Sequence, residues 1–165
     1  MDKEKDIRFG LWQLLNRTRQ LIYRARANEL ARYGTTTRRA AILEIVFRLG
    51  GKATQPEIAR QLFTGRHVIS EQLTRMEKDG LIKRFRDPKR KNEVRVEVTE
   101  KGNQLQQKVA IRQSIKDAIS VLDNEEVLVL WHILAKLRDM GITNLGLTRD
   151  SSTVFPPSNP DDYKK

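Results

Sequence analysis

Basic side chains are concentrated in one stretch of this 165-residue sequence. From Thr36 to Asn92 there are 14 Lys and Arg residues and six acids, so most of the formal net charge of +11 lies in about a third of the chain. A solvated basic surface would account for a scattered excess of charge. Positive charge gathered in a segment with its own architecture instead favours a polyanionic partner, nucleic acid before an anionic membrane.

Residues suited to catalysis or to metal binding are scarce. The two histidines, His67 and His132, fall on different predicted elements, and there is no cysteine. The sequence has no HExxH zinc motif, no glycine-rich phosphate loop and no GxSxG nucleophile motif. The absence of cysteine excludes a disulfide framework, a thiolate zinc site and a cysteine redox switch. We therefore expect no enzyme activity, no cofactor and no metal site.

One predicted helix has side chains that could contact bases. Between Arg66 and Asp79, apolar residues recur at Ile69, Leu73 and Met76, which places them on one face. Arginine can bridge guanine O6 and N7, and a glutamate can accept from cytosine N4. Each residue on the other face could also be ordinary helix surface. The predicted base-reading set is Arg66, His67, Ser70, Glu71 and Thr74.

A second set of residues suits contacts with phosphate. Arg75 and Lys78 flank the predicted base-reading face of the same helix. Two other predicted helices begin at hydroxyl or amide side chains, where free N–H groups point outward and favour an anion. The predicted phosphate set is Thr37, Arg38, Arg39, Thr54, Gln55, Arg75 and Lys78.

The elements that would position these residues follow from periodicity and turn residues. A long helix is predicted over residues 7–31, and a second, mostly buried one over residues 36–49, with Phe47 and Leu49 in its core set. Thr54 and Glu57 form a capping-box pattern that starts a short third helix. Two short helices joined by a glycine-containing break before Arg66 form a helix-turn-helix pattern.

A β-ribbon is predicted directly after this pattern. Residues 81–86 and 94–98 alternate in polarity, as strands do, and a basic turn joins them. Such a ribbon after a recognition helix is a wing, and its predicted DNA-contacting residues are Lys89, Arg90 and Lys91.

The carboxyl-terminal part predicts further helices and a tail. One amphipathic helix is predicted from Thr99 to Leu122, interrupted by Arg112, and a last helix, apolar on almost every side, follows Asp123. A helix this apolar needs a partner, so we expect a homodimer. The predicted divisions are 1–34, an N-terminal dimerisation helix; 35–99, the winged helix-turn-helix domain; 100–145, C-terminal dimerisation helices; and 146–165, a flexible tail.

Residues 7–140 resemble the MarR (multiple antibiotic resistance regulator) family. The resemblance is carried by AAILEIVFRLG at 40–50, PEIARQL at 56–62, LTRMEKDGLI at 73–82, Asp87-Pro88 and VEVTEKG at 96–102. The implied fold is mainly α with a small two- or three-stranded β wing and long dimerisation helices. The implied function is that of a homodimer that binds a pseudo-palindromic operator as a repressor.

The resemblance also implies an effector. Family members often release DNA when a small aromatic or anionic molecule binds between the dimer region and the DNA-binding domain, and Trp12 and Arg112 are candidates to line that pocket. At the wing tip the family usually has Asp-Arg-Arg, whereas this chain has Arg90-Lys91-Asn92.

Three functions remain open from the sequence. The first is an effector-responsive regulator, and the second is an effector-independent architectural or replication-type winged-helix protein. The third, an RNA- or membrane-binding basic protein, lacks an exposed aromatic platform and a basic amphipathic helix. The longest apolar run, 127–131, is far too short for a bilayer, and the start has no apolar signal region, so we expect a cytoplasmic protein.

Overall fold

The computed structural model describes residues 6–87, 94–147 and 156–163. Seven α-helices lie in these ranges, followed by a short 3-10 helix at Pro160–Tyr163. The helices are α1 (Ile7–Ala31), α2 (Thr37–Arg48), α3 (Gln55–Gln61), α4 (Arg66–Lys78), α5 (Glu100–Val109), α6 (Gln113–Ile119) and α7 (Asn124–Asn144).

Three short strands form one antiparallel sheet. They are β1 (Lys52–Thr54), β2 (Ile82–Arg86) and β3 (Val94–Val98), and β3 lies in the middle. Val96 of β3 pairs with Ala53 of β1 on one side and with Arg84 of β2 on the other. The predicted fold class, mainly helical with a small β wing, is confirmed.

The main core fills the space between the sheet and helices α2, α3 and α4. Ile42, Val46, Ile58, Ile69 and Met76 are fully buried there. A smaller cluster of Leu30, Ala40 and Val109 joins α1 and α5 to α2. The winged helix domain therefore rests directly on the long helices that precede and follow it.

The prediction that Phe47 and Leu49 belong to the core set of α2 is wrong. The Phe47 side chain is 65% exposed, and Leu49 is also exposed. Residues 42, 43, 45 and 46 already occupy the face that meets the core, so Phe47 points away from it.

The single helix predicted from Thr99 to Leu122 is in fact two helices. The chain leaves the helical conformation between α5 and α6, where Arg112 has a φ of 53° and no side chain of α6 caps its amino end. Glu29 of α1 supplies the cap instead, because its carboxylate accepts hydrogen bonds from the Gln113 and Ser114 backbone N–H groups at 3.0 and 3.2 Å. A contact across the fold therefore fixes this break.

The residues near the carboxyl terminus pack on α7, which differs from the flexible tail predicted from residue 146. The Trp131 indole N–H donates to the Pro157 carbonyl at 3.2 Å, and Tyr163 meets the Trp131 ring edge-on with centroids 5.3 Å apart. The Arg138 guanidinium donates to the Pro156 carbonyl and, at 2.7 Å, to the Ser158 hydroxyl. Residues 156–163 therefore contact α7 through an aromatic pair and the Arg138 guanidinium.

None of the helices in the described ranges is both long enough and apolar enough to cross a membrane.

Candidate nucleic-acid interface

Helix α4 has two different faces. Ile69, Leu73 and Met76 are buried in the core, as their spacing predicted. The opposite face is in solvent: Arg66, His67, Glu71 and Thr74 are exposed, and Ser70 is half-buried. The structure therefore brings the five predicted base-reading residues together on one helix surface.

The middle of this surface is tied to the wing. Arg84 of β2 donates to the Glu77 carboxylate through its backbone N–H at 3.1 Å and through Nε at 2.8 Å. Its guanidinium also lies 3.4 Å from the Thr74 hydroxyl, which donates to the Ser70 carbonyl at 3.0 Å. The hydrogen bond from Arg84 lowers the pKa of Glu77, so this carboxylate stays charged. Recognition helix and wing strand are thus joined by an ion pair.

The amino end of α4 is tightly built. Gln55, at the start of α3, donates its side-chain N–H to the Arg66 carbonyl at 2.8 Å. A Cβ added at Gly65 would lie 2.7 Å from the exposed His67 ring, so a larger residue there would require that ring to move. The hydrogen bond from Gln55 connects the start of α3 to the first turn of α4.

The predicted phosphate-contacting residues at the start of α2 have different environments. Arg38 is exposed, whereas Arg39 forms an ion pair of 2.6 Å with Asp79 at the end of α4. The Thr37 hydroxyl shares a hydrogen bond of 2.5 Å with the Tyr23 hydroxyl of α1. Arg38 is the member of this group with its charge most open to solvent.

The remaining predicted phosphate contacts lie on α3 and α4. Arg75 and Lys78 are exposed near the carboxyl end of α4. Thr54 is buried, and its hydroxyl and backbone N–H are used in a capping box with the Glu57 carboxylate. The Thr54 side chain caps the start of α3 and is therefore not available to a phosphate. A phosphate contact at this position would come from the free backbone N–H groups at the amino end of α3.

Ion pairs support the base of the wing. Asp87 and Arg95 pair at 2.5 Å across the ends of β2 and β3. Glu97 lies between Lys83 at 2.8 Å and Lys52 at 3.4 Å, and the hydrogen bond from Lys83 lowers the Glu97 pKa. The three predicted wing contacts, Lys89, Arg90 and Lys91, lie outside the described residues.

The two predicted pocket residues lie apart. Arg112 lines a cavity of about 140 Å³ between α1, α2 and α5, and its guanidinium pairs with Glu44 at 2.9 Å. In the same wall, the buried side-chain oxygen of Gln106 has no hydrogen-bond partner among the described residues. Trp12 is exposed on α1, stacks on Phe9 and is not part of this cavity.

Sequence reasoning missed the structural roles of Arg84, Glu77 and Glu29: the first two join the wing strand to α4, and the third caps α6. Arg84 and Glu77 are seven residues apart on either side of a turn, and Glu29 and Ser114 are 85 apart. The one local feature that points to Glu29 is the amino end of α6, which has no side-chain cap of its own and so needs a cap from elsewhere. In the part of the chain that the structure describes, no cluster of His, Asp and Glu could hold a metal ion.

The part of the chain that carries this surface matches a known protein family. Residues 36–102, from α2 to the start of α5, match the winged helix DNA-binding domain family. No curated protein matches the chain in sequence.

Solved structures match nearly the whole chain. The ligand-free organohalide-sensing RdhR-CbdbA1625 transcriptional regulator is 30% identical, with a TM-score of 0.79 over 93% of this chain and 91% of that one. AbsC, a MarR family transcriptional regulator from Streptomyces coelicolor, is 21% identical, with a TM-score of 0.78 over 85% of this chain and 97% of its own. A mutant MarR from E. coli, complexed with operator DNA, is also 21% identical, with a TM-score of 0.73 over 83% of this chain and 99% of that one.

The similarity to the AbsC and MarR structures establishes the fold. The RdhR-CbdbA1625 transcriptional regulator is in addition similar in sequence over almost its full length. With its winged helix domain and exposed recognition helix, this chain belongs to the MarR family of DNA-binding transcription regulators.

Proposed function

We propose that the chain is a homodimeric repressor that binds a pseudo-palindromic operator and releases it when a small molecule binds. The main support for DNA binding is the exposed face of α4, because the opposite face of the same helix is fully buried and holds the helix in place. A helix presented this way can enter the major groove, with its first turns at the base edges.

Roles within the surface follow from charge and position. Arg66 and Glu71 suit bases, since a guanidinium bridges guanine and a carboxylate near DNA favours only an amino-group donor such as cytosine N4. Arg38, Arg75 and Lys78 suit phosphates, because they are exposed cations around that face. Arg90 at the wing tip is the proposed minor-groove contact, where a narrow groove has the most negative potential.

Unpartnered apolar surface on the outer helices supports the homodimer. Leu21 of α1 is 67% exposed and Met140 of α7 is 59% exposed, with other exposed apolar residues along both helices. Apolar surface of this extent on a small domain marks an interface. A second copy is the proposed occupant because the resemblance to the MarR family implies a homodimer. A two-fold axis would also present two α4 helices to a palindrome.

The cavity beside Arg112 supports a small effector. A site of about 140 Å³ holds roughly one aromatic ring, as cavities near this size in other proteins do. The crystal structure of RdhR-CbdbA1625 with 2,4-dichlorophenol bound shows that this relative takes a single-ring phenol. In this chain the cavity lies where α1 and α5 meet α2 of the DNA-binding domain. A ligand there could shift the DNA-binding domain relative to α1 and α5.

A ligand series tests this proposal. We expect 2,4-dichlorophenol or a single-ring benzoate to raise the melting temperature and to weaken duplex binding in gel retardation, and DNA to weaken ligand binding by the same factor. Arg112→Ala should lose both effects, while Arg24→Ala, which removes an exposed arginine of α1, should keep them. A series in which no compound changes both measurements would favour the effector-independent winged-helix protein.

A further inference from the structure

The winged helix domain is joined to the outer helices at the break between α5 and α6. Helix α5 packs on α2 and β3 and so belongs with the DNA-binding domain, whereas α6 packs on α1. Residues 110–112 connect the two helices, and the connection ends at Arg112 in the left-handed conformation. The angle between α5 and α6 therefore decides how the DNA-binding domain is held relative to α1.

Two charged side chains of α1 occupy this break. The Arg26 guanidinium donates to the carbonyl of Val109, the last residue of α5, at 2.6 Å. The Glu29 carboxylate accepts from the backbone N–H groups of Gln113 and Ser114 in the first turn of α6. The two charged side chains lie 2.8 Å apart and are only 12% and 11% exposed. Helix α1 thus places one ion pair between the ends of two helices.

The signs of these charges suit the helix ends that they meet. The carboxyl end of a helix has a partial negative charge, and the amino end has a partial positive charge. Arg26 at the end of α5 and Glu29 at the start of α6 each face the opposite partial charge. Because both side chains are nearly buried, solvent screens their interactions much less than it would at the surface. The pair therefore favours one arrangement of α1, α5 and α6.

A second ion pair supports the break from the side of the DNA-binding domain. Arg112 pairs with Glu44 of α2 at 2.9 Å. The buried apolar contact between the same elements is small and consists of Leu30, Ala40 and Val109. Burial of apolar surface has no preferred direction, whereas hydrogen-bonded charges fix a geometry. The charged groups, more than the apolar cluster, are therefore expected to define the angle.

We infer that Arg26, Glu29, Arg112 and Glu44 form a rigid joint that sets which spacing of two half-sites the protein accepts. The inference rests on the proposed homodimer, in which the joints of both copies fix the distance between the two α4 helices. Each inserted base pair moves a half-site by about 3.4 Å and rotates it by about 35° around the duplex axis. A rigid joint cannot follow this movement, whereas a loosened joint can. The four residues position the DNA-reading helix and do not themselves need to touch DNA.

Duplexes with altered spacing test this inference. In an operator selected from a random pool, the gap between the half-sites is lengthened or shortened by up to two base pairs, and Kd is measured by fluorescence anisotropy. The wild type should bind one spacing best and lose affinity about tenfold or more at the extremes. Glu29→Gln should reduce this loss to about threefold or less. Glu125→Gln, which changes an exposed carboxylate of α7, should keep the loss seen in the wild type.

A second variant loosens the joint without removing its charges. Ile111 is 50% exposed between α5 and α6, so Ile111→Gly removes little buried surface, and glycine gives the connection more backbone freedom. It should tolerate altered spacing as Glu29→Gln does. A variant that is only less stable would instead bind every spacing more weakly by the same factor.

The possible results separate the joint from the proposed function. A sharp spacing preference that the wild type and both loosened variants share would overturn the joint. A wild type that binds all spacings of two half-sites equally, and more tightly than one half-site, would also overturn it, while dimeric binding would stand. A wild type that gains nothing from a second half-site at any spacing would contradict the proposed dimeric binding, and the role of the joint would fall with it.

Discussion

The carboxylate of Glu77 and the guanidinium of Arg84 connect α4, the helix proposed to read DNA, to the wing strand β2. The two residues lie on different elements, and two hydrogen bonds from the guanidinium and one from the Arg84 backbone N–H reach the carboxylate. Both side chains are about a third exposed, so solvent screens the pair and its contribution to stability is modest. Its greater effect is on orientation, because it fixes the wing strand against α4 beside Thr74.

Glu77→Gln should therefore affect DNA binding more than folding. We expect the free energy of unfolding to fall by about 1 kcal/mol, measured by urea denaturation, and duplex affinity to fall severalfold as the wing loses its orientation. Glu71→Gln, at an exposed position on the same helix, is the control for folding and should leave stability unchanged. A Glu77→Gln protein with wild-type DNA affinity would show that the pair does not orient the wing.

At this scale the sequence predicts which residues of α4 are buried, but not which polar residues pair. Ile69, Leu73 and Met76 follow from the period of the helix alone. The partner of Arg84 depends on how β2 crosses α4, and that crossing is set by packing of the core. Thr54 shows the reverse case, since its capping role is a local pattern that the sequence contains in full.

Helices α1 and α6 are joined by the Glu29 carboxylate, whose side chain is 11% exposed. Burial alone would raise the pKa of Glu29. Hydrogen bonds from Ser114 and Arg26 and from the backbone N–H groups of Ser114 and Gln113 outweigh it and lower the pKa from 4.5 to about 2. The charged form is therefore favoured in the folded state.

This shift makes stability depend on pH in a defined direction. The folded pKa is below the unfolded one, so the stabilisation is present above about pH 4.5 and is lost as the pH falls towards 2. We expect Glu29→Gln to be less stable than the wild type by up to about 3 kcal/mol at pH 7, with a difference that shrinks through that range. The measurement is urea denaturation at several pH values, with Glu125→Gln, an exposed carboxylate, as control. A difference that stays constant with pH would contradict the assignment.

Element boundaries could be predicted where a local signal marks them. The capping boxes at Thr54 and Asp123 start α3 and α7 at the expected positions. The break between α5 and α6 was not predicted, because apolar residues resume at helical spacing after the interruption at Arg112 and the cap comes from Glu29 in α1. The packing of residues 156–163 on Trp131 and Arg138 was missed for a similar reason, since their composition alone is typical of a tail.

The whole molecule has a well-packed DNA-binding domain and outer helices whose apolar faces are largely in solvent. Apart from the 3-10 helix at Pro160–Tyr163, α7 packs little against the described residues. A constitutive homodimer would cover this surface, with α1 and α7 of each copy in the interface.

Replacing Leu130 and Leu134 of α7 together by Asp should give monomers or insoluble protein, because four carboxylates would be buried in the dimer. Sedimentation at micromolar concentration measures this. The matched control is Lys136→Asp, an exposed polar residue of the same helix. A wild type that sediments as a folded monomer would contradict the dimer.

The most direct measurement concerns whether α4 lies in a groove and reads sequence. A cognate duplex is first selected from a random pool, and binding of cognate and scrambled duplexes is then measured over a salt series. Arg66→Ala should cost about 1 to 3 kcal/mol per half-site on the cognate duplex and less on the scrambled one. Lys78→Ala should weaken both alike and lower the slope of log K against log salt by about one unit. If both substitutions reduced both affinities equally, α4 would lie along the phosphate backbone, and the proposed reading of sequence by this helix would be wrong.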